Sequence, residues 1–299
     1  MFMLSFIFAM VGVLLGVAFF TLMERKVMGL MHYRKGPNKV ILLGVLQPMA
    51  DALKLLTKEY TKIQALKLFM YWLAPVLGIF LMCSMWMWYE SLFLTLNNKM
   101  KVFSILAIMS ISAFVFLLTS WGSNSKYSLI GGYRAVSQII SYEVCFMIFI
   151  FSIIYMSKTY NVSFIKMIQE KWWFSLFSLP LFFMWIMMCM AESNRTPFDL
   201  AEGESEIVSG FNIEYGGGLF ALLFIMEYGM IMFLSFMTSF LFMGMTFSLL
   251  KTFFMCFMFV WIRCCFPRVR YDKLMELCWK VCLIYSLSIL SVVLCLFFM

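Results

Sequence analysis

The feature of this sequence most able to do chemistry is a dense group of carboxylates between Met190 and Glu214. The segment reads MAESNRTPFDLAEGESEIVSGFNIE, and Arg195 is its one basic residue. Its carboxylates are Glu192, Asp199, Glu202, Glu204, Glu206 and Glu214. Carboxylates held close together repel one another, so some of their pKa values rise and protons become shareable near neutral pH. The composition predicts proton handling, ion handling or docking of a polar partner.

Local patterns predict how this segment would place its acids. Thr196 suits the N-cap of a helix, Pro197 its first position and Asp199 its third. In a helix that begins at Pro197, Asp199, Glu202 and Glu206 would share one face. The alternative is that Asp199 serves only as a helix cap.

Acidic residues also occur within apolar stretches, where they are costly. Glu143 lies near the beginning of one stretch, Glu227 in the middle of another and Glu192 at the end of a third. A charge at the centre of a membrane helix costs about 2.5–3.5 kcal/mol on insertion scales. Neither Glu143 nor Glu227 has a Lys or Arg four residues away, and Tyr142 and Tyr228 beside them could extend a hydrogen-bonded relay. Proton transfer and a plain hydrogen bond between helices both remain open.

The whole chain must position these acids within a membrane. It is 64% hydrophobic and 13% charged, with a mean hydropathy of +0.94, whereas soluble domains carry about 25% charged residues. The sequence predicts an all-α membrane protein that forms a single polytopic domain over residues 1–299. Eight apolar runs are expected to span the bilayer: 2–23, 69–89, 102–121, 137–156, 174–191, 217–239, 249–266 and 278–298.

The distribution of basic residues predicts the orientation. Most of the 23 Lys and Arg residues fall in or beside the odd-numbered loops between these runs. Loops rich in Lys and Arg face the positive-inside compartment, so the odd-numbered loops are expected there. With eight spans, both termini are expected on the opposite side.

The first loop contains a second structural signal. The stretch LQPMADALKLLTKE at 46–59 places Leu53, Leu56 and other apolar residues on one helical stripe, with Lys54 and Lys58 opposite. Such a helix lies along the membrane surface. It would serve either as an interfacial anchor or as a rim that guides a lipid-soluble molecule into the protein.

Other chemical groups are scarce. The nine cysteines include no C-x-x-C pair and mostly lie in apolar runs, which favours a structural role over zinc or iron–sulfur ligation. The single histidine, His32, excludes a haem held by two histidines of this chain. No glycine-rich phosphate-binding motif is present. The sequence predicts no metal, nucleotide or redox centre here, and the net charge of +8 reflects the loops rather than nucleic-acid binding.

Several long segments, in order along the chain, resemble one known family. They are ERKVMG at 24–29, YRKGPNKV at 33–40, LQPMADALKLLTKE at 46–59, SNSKYSLIGGYRAVSQIISYEV at 123–144, AESNRTPFDLAEGESEIVSGFNIEY at 191–215 and WIRCCFPRVRYDKLMELCWK at 261–280. The chain resembles, over nearly its whole length, subunit 1 of mitochondrial NADH:ubiquinone oxidoreductase, respiratory complex I. The acidic segment is the most specific, although Ser193 stands where many members carry Thr.

The resemblance, combined with the residues above, implies three groups of site residues and no metal ligand. The implied proton path is Glu143, Glu192, Asp199, Glu202, Glu206, Glu227, Tyr142 and Tyr228. The implied quinone chamber and its access route are Arg25, Arg34, Leu53, Leu56, Arg195, Phe198, Phe220 and Phe224. The implied docking surface for the peripheral arm is Lys35, Arg134, Arg268 and Arg270.

The resemblance also implies the cofactors, partners and location. Ubiquinone would be the substrate, while NADH, FMN and the iron–sulfur clusters would belong to partner subunits, so that this chain binds no cofactor. The expected partners are the quinone-site subunits of the peripheral arm, neighbouring membrane-arm subunits and membrane lipid. The protein would be multi-pass in the mitochondrial inner membrane, with odd-numbered loops in the matrix and both termini on the intermembrane-space side.

These expectations combine into one hypothesis for the mechanism. Reduction of quinone changes local charge or loop packing, the acidic segment senses the change, and Glu192, Glu143 and Glu227 relay protonation sideways. From the residues alone, two other classes of function fit. A secondary transporter would also use acids at the membrane centre, although no repeat relates the two halves of the chain. A purely architectural anchor would tolerate neutralisation of the acids without loss of turnover.

Overall fold

The fold is built from helices and their connecting loops in the part of the chain that the structure describes. A computed structural model describes residues 2–59, 66–87, 101–160, 162–170, 172–201, 203, 210–244 and 246–298. No strand occurs in these ranges. The predicted all-α class is therefore confirmed.

Twelve α-helices lie within the described residues. They are α1 Phe2–Met31, α2 Gln47–Thr57, α3 Leu68–Trp86, α4 Lys101–Ser123, α5 Lys126–Ser157, α6 Val162–Gln169, α7 Phe174–Phe177, α8 Leu179–Glu192, α9 Gly217–Met243, α10 Ser248–Cys265, α11 Tyr271–Glu276 and α12 Leu283–Phe298. A π-helical segment, Leu277–Cys282, joins α11 to α12, and short 3₁₀ turns occur at Leu42–Gly44 and Gly210–Asn212.

Seven helical segments of the described chain are long and apolar enough to cross a membrane. The predicted run 174–191 is not one of them, because it is divided into α7 and α8 at Ser178. Pro180 lies in the first turn of α8, where proline is favoured since it lacks an amide hydrogen. With 14 residues, α8 is about 21 Å long, against about 30 Å for the hydrocarbon core. The count of eight spans is not confirmed.

The spanning helices extend beyond several of the predicted runs. The run 137–156 lies within α5, which begins eleven residues earlier at Lys126. There the side chain of Ser125 accepts a hydrogen bond from the Ser128 amide and caps the helix. Likewise, α1 continues to Met31, past the predicted end at residue 23. Hydropathy marks the apolar part of a helix, whereas capping and backbone hydrogen bonds decide where it ends.

Helix α9 is at the centre of the fold. Residues inside the protein make up 61% of its span window, but only 17% of the window in α1. It packs against α1, α3 and α10, while α5 packs against α4, α8 and α12. Side chains from α5, α8 and α9 form much of the main apolar core. Any polar group on the inner faces of these three helices is therefore shielded from lipid.

Helix α2 occupies the stretch that the sequence marks as amphipathic. Pro48 lies in its first turn, and the helix contacts α1 and α9. Leu53 and Leu56 remain 64% and 67% exposed. The placement of α2 on a membrane surface stays a prediction.

A close approach of two glycines anchors the end of the acidic segment. A β-carbon on Gly131 of α5 would lie 2.8 Å from the Cα atom of Gly210. Gly210 also has a φ of +58°, which favours glycine. The contact brings the turn Gly210–Asn212 against α5, and Phe211 and Asn212 are buried there.

Candidate functional site

A buried ion pair joins the acidic segment to the centre of α9. The guanidinium Nη2 of Arg195 donates to Oε2 of Glu227 over 2.9 Å, and each side chain is only 8% exposed. The same guanidinium lies 4.7 Å from the ring centre of Tyr228 and 5.9 Å from that of Phe224. A buried charge needs such a partner because desolvation otherwise makes it very costly. The partner of Glu227 comes from a distant loop, which a search at helical spacing could not find.

The backbone after Glu192 turns instead of continuing as a helix. The Phe198 amide donates to the Arg195 carbonyl over 2.8 Å, and the Val269 amide donates to the Pro197 carbonyl over 2.9 Å. The predicted helix beginning at Pro197 is therefore wrong, because this backbone bonds to the loop before α11. Glu202, Glu204 and Glu206 lie outside the described residues.

Asp199 forms a second ion pair with that loop. Nη2 of Arg268 donates to Oδ2 of Asp199 over 3.0 Å. Asp199 itself is 8% exposed, so its role is not that of an exposed helix cap. Arg268, predicted to dock the peripheral arm, thus holds an acid of the same chain.

Gln138 fastens the acidic segment to α5. Its side-chain amide nitrogen donates to the carbonyls of Ala191 and Phe198 over 2.8 and 3.0 Å, and the residue is fully buried. Phe198 is also buried, with 1% exposed. It packs near the ring of Tyr142 at 6.2 Å between centroids, so this predicted chamber residue lies in the core.

Two further acids lie on the helices α8 and α5, which pack against each other. Glu192 ends α8 and is 9% exposed, and the negative charge of Glu143 on α5 disfavours a second negative charge there. The Oε1 atom of Glu143 is buried and has no hydrogen-bond partner among the described residues. A buried oxygen without a partner is costly. This position is therefore suited to a proton, a water or a polar group from a neighbouring subunit.

The two predicted relay tyrosines have separate surroundings. The hydroxyl of Tyr142 donates to the Leu274 carbonyl over 3.3 Å. Tyr228 places its ring on Arg195. Tyr228 thus contacts the Arg195–Glu227 pair, whereas Tyr142 is hydrogen-bonded to α11. A proton relay through either tyrosine stays a prediction.

The remaining predicted basic residues lie partly on helices α1 and α5 and partly in loops. Arg25 pairs with Asp51 over 2.5 Å and links α1 to α2. Arg34 and Lys35 are exposed. Arg134 lies 5.8 Å from the ring of Tyr271 on α11. Arg270 pairs with Asp272 at an exposed position.

The predicted quinone-lining aromatics on α9 contact each other. The rings of Phe220 and Phe224 are 4.4 Å apart between centroids, and Phe224 faces Arg195. A separate apolar cavity of about 520 Å³ lies between α1, α9 and α10. Its walls include Gly16, Phe20 and Met232, but none of the residues that the sequence predicts to line the chamber.

One further ion pair joins two residues that the sequence did not mark as part of a site. Glu24 of α1 pairs with Arg263 of α10 and is only 3% exposed. Arg263 is a basic residue within the apolar run 249–266, and Glu24 is the first charge after the opening run. An arginine in such a run signals a buried acidic partner.

Comparison with known proteins identifies the family. The family model described as NADH dehydrogenase matches residues 4–294. NADH-ubiquinone oxidoreductase chain 1 of Aedes aegypti is 45% identical over 282 residues, covering 93% of this chain and 90% of the relative. The Paracentrotus lividus protein of that name is 44% identical over 301 residues, with 96% and 92% covered. The Osphranter rufus protein is 42% identical over 309 residues, with 100% and 96% covered. The chain therefore belongs to the NADH dehydrogenase family and is a counterpart of chain 1 of NADH-ubiquinone oxidoreductase.

Proposed function

We propose that this chain, a subunit of an NADH-ubiquinone oxidoreductase, forms the membrane end of the ubiquinone chamber. In this role it also anchors the peripheral arm and links quinone reduction to proton translocation. The observation that carries the proposal is the buried Arg195–Glu227 pair, with Tyr228 and Phe224 beside it. A charged, aromatic-walled site inside a membrane helix bundle is functional by default, since its charges are costly to place there.

The geometry around α9 supports a site for the quinone head. Such a head is a flat conjugated ring with carbonyl oxygens, and it is bound best by aromatic walls and a few placed donors. Phe220 and Phe224 supply rings, and Arg195 supplies donors. Helix α2 packs on α1 and α9 and leaves Leu53 and Leu56 exposed. We place the access route for the isoprenoid tail along these leucines, with Arg25 and Arg34 at its polar rim.

The ion pairs change the mechanism expected from the sequence. Glu227 and Asp199 each accept a hydrogen bond from an arginine, so they are not acids without counter-charges. Two-electron reduction makes the quinone negatively charged until it has taken up two protons, so Arg195 faces extra negative charge between electron transfer and protonation. A weaker Arg195–Glu227 bond would make Glu227 easier to protonate. Glu192 and Glu143, which interact with each other, would continue the path, and Glu202 and Glu206 remain proposed members.

The proposal extends to partners and location. The proposed docking surface is Lys35, Arg134, Arg268 and Arg270, and it would face the quinone-site subunits of the peripheral arm. NADH, FMN and the iron–sulfur clusters would belong to partner subunits. The chain would form one polytopic domain of the mitochondrial inner membrane. Its basic odd-numbered loops would lie in the matrix and its termini on the other side.

Labelling with a photoreactive quinone tests this function. In the native complex, the label is expected on peptides of α2 and of α9 near Phe220 and Phe224. Excess ubiquinone should remove it. Label confined to the apolar cavity between α1, α9 and α10, or not displaced by ubiquinone, would contradict the chamber assignment.

A further inference from the structure

A small cavity is lined by residues from two ion pairs. Glu24 and Arg263 form one pair, and Arg195, whose partner is Glu227, belongs to the other. The cavity has a volume of about 20 Å³, and its polar walls are the side chains of Glu24, Ser193, Arg195 and Arg263. The first pair joins α1 to α10, and the second joins the acidic segment to α9. The cavity therefore lies where four parts of the chain meet.

The size and lining of this cavity fit one water molecule. A site for a water needs about 10–15 Å³ of accessible volume and two to four polar partners. The Ser193 hydroxyl donates to the Met190 carbonyl over 3.0 Å, which leaves its oxygen able to accept. Arginines donate and a carboxylate accepts, so a water here would have both kinds of partner. The other walls are Phe20, Met190, Ile231, Phe259 and Val260.

We propose that a single bound water joins the Glu24–Arg263 and Arg195–Glu227 pairs into one network. Glu24 and Arg263 are then positioning residues for Arg195, the basic group of the acidic segment. In an apolar surrounding, hydrogen-bonded charges influence one another strongly. A change at α1 or α10 therefore reaches Glu227 without direct contact. The tests of this inference that measure turnover also rest on the proposed function, whereas a test that looks for the water itself does not.

High-resolution electron cryomicroscopy of the native complex tests the network directly. The map is expected to show one water peak within hydrogen-bonding distance of at least two of Glu24, Ser193, Arg195 and Arg263. Side-chain density that fills the cavity, or a cavity without a peak, would overturn the proposal. This outcome is independent of whether quinone labels α9.

Turnover of the assembled complex at different pH values gives a second test. Replacing Arg263 with Gln should move the pH midpoint of NADH:quinone activity away from that of the wild type. Arg263→Lys should keep the midpoint close to that of the wild type, because the charge is retained. Val260→Ile changes no charge but places a methyl group in the cavity. It should move the midpoint in the same direction as Arg263→Gln.

A double-mutant cycle of Arg263→Gln and Glu227→Asp measures the link between the two pairs. Residues in one network show non-additive effects, and we expect a departure of about threefold from the product of the single effects. The exposed Glu276–Lys280 pair provides the control, since Lys280→Gln should combine multiplicatively with Glu227→Asp. Multiplicative effects for Arg263→Gln and Glu227→Asp, or an unmoved midpoint in Val260→Ile, would contradict the network.

Discussion

At the scale of single residues, Glu143 and Glu227 are acids of membrane helices in different surroundings. Glu227 is paired with Arg195, whereas Oε1 of Glu143 has no hydrogen-bond partner among the described residues. Glu143→Gln breaks no ion pair seen in the structure. We expect the complex to assemble at wild-type amounts with reduced coupled turnover, as measured by native gels and by NADH:quinone activity. Glu276→Gln, at an exposed pair, is the matched control and should leave both unchanged.

The same comparison predicts a different outcome for Glu227. Glu227→Gln leaves Arg195 as an uncompensated charge, and removing one member of a buried pair costs about 3–5 kcal/mol. The amount of assembled complex should therefore fall. Adding Arg195→Gln removes the stranded charge and should recover assembly but not coupled turnover. If Glu227→Gln alone assembled in wild-type amounts, the Arg195–Glu227 pair would not be needed for the stability of the complex.

At the scale of elements, the acidic segment depends on the contact between α5 and the turn Gly210–Asn212. Gly131→Ala would bring a methyl group to 2.8 Å from the Gly210 Cα atom. The turn must shift, so we expect lower thermal stability and lower turnover of the complex. Gly12→Ala is the control in another spanning helix, because its β-carbon would meet nothing within 4 Å. Alanine there should be neutral or slightly stabilising. Equal effects of the two changes would exclude the contact as the cause.

Helix α2 carries a separate prediction about access of quinone. Leu53→Ser and Leu56→Ser remove exposed apolar side chains from the proposed route. We expect a higher KM for ubiquinone at similar kcat and similar assembly, because a tail loses apolar contact while the reacting site is unchanged. Lys54→Ser on the exposed polar side is the control. A change in kcat alone would argue against an access route along α2.

Elements were predictable from the sequence where the signal was local. Runs of apolar residues located the long helices, and the pattern around Pro48 located α2. The helix expected from Pro197 did not form, although Thr196 and Asp199 suit a helix start. The Pro197 carbonyl instead accepts from the Val269 amide, 72 residues away along the chain. Local capping patterns cannot include such tertiary hydrogen bonds.

At the scale of the whole molecule, charge pairing was the least predictable feature. Glu227 and Arg195 are 32 residues apart, and Asp199 and Arg268 are 69 apart. Their contacts exist because α9, the acidic segment and the loop before α11 pack together. Glu227 and Asp199 were singled out as acids of an apolar chain, whereas the roles of Arg195 and Arg268 came from the resemblance to a known family. The sequence could not say which were partners, and it missed the Glu24–Arg263 pair.

The central claim is that buried carboxylates of this chain exchange protons when a neighbouring quinone is reduced. The most direct measurement is proton translocation per NADH oxidised by the assembled Glu143→Gln complex in sealed vesicles, beside the wild type. We predict fewer protons moved per NADH, or a coupled turnover that falls together with pumping. Wild-type turnover with the wild-type number of protons per NADH would contradict the claim.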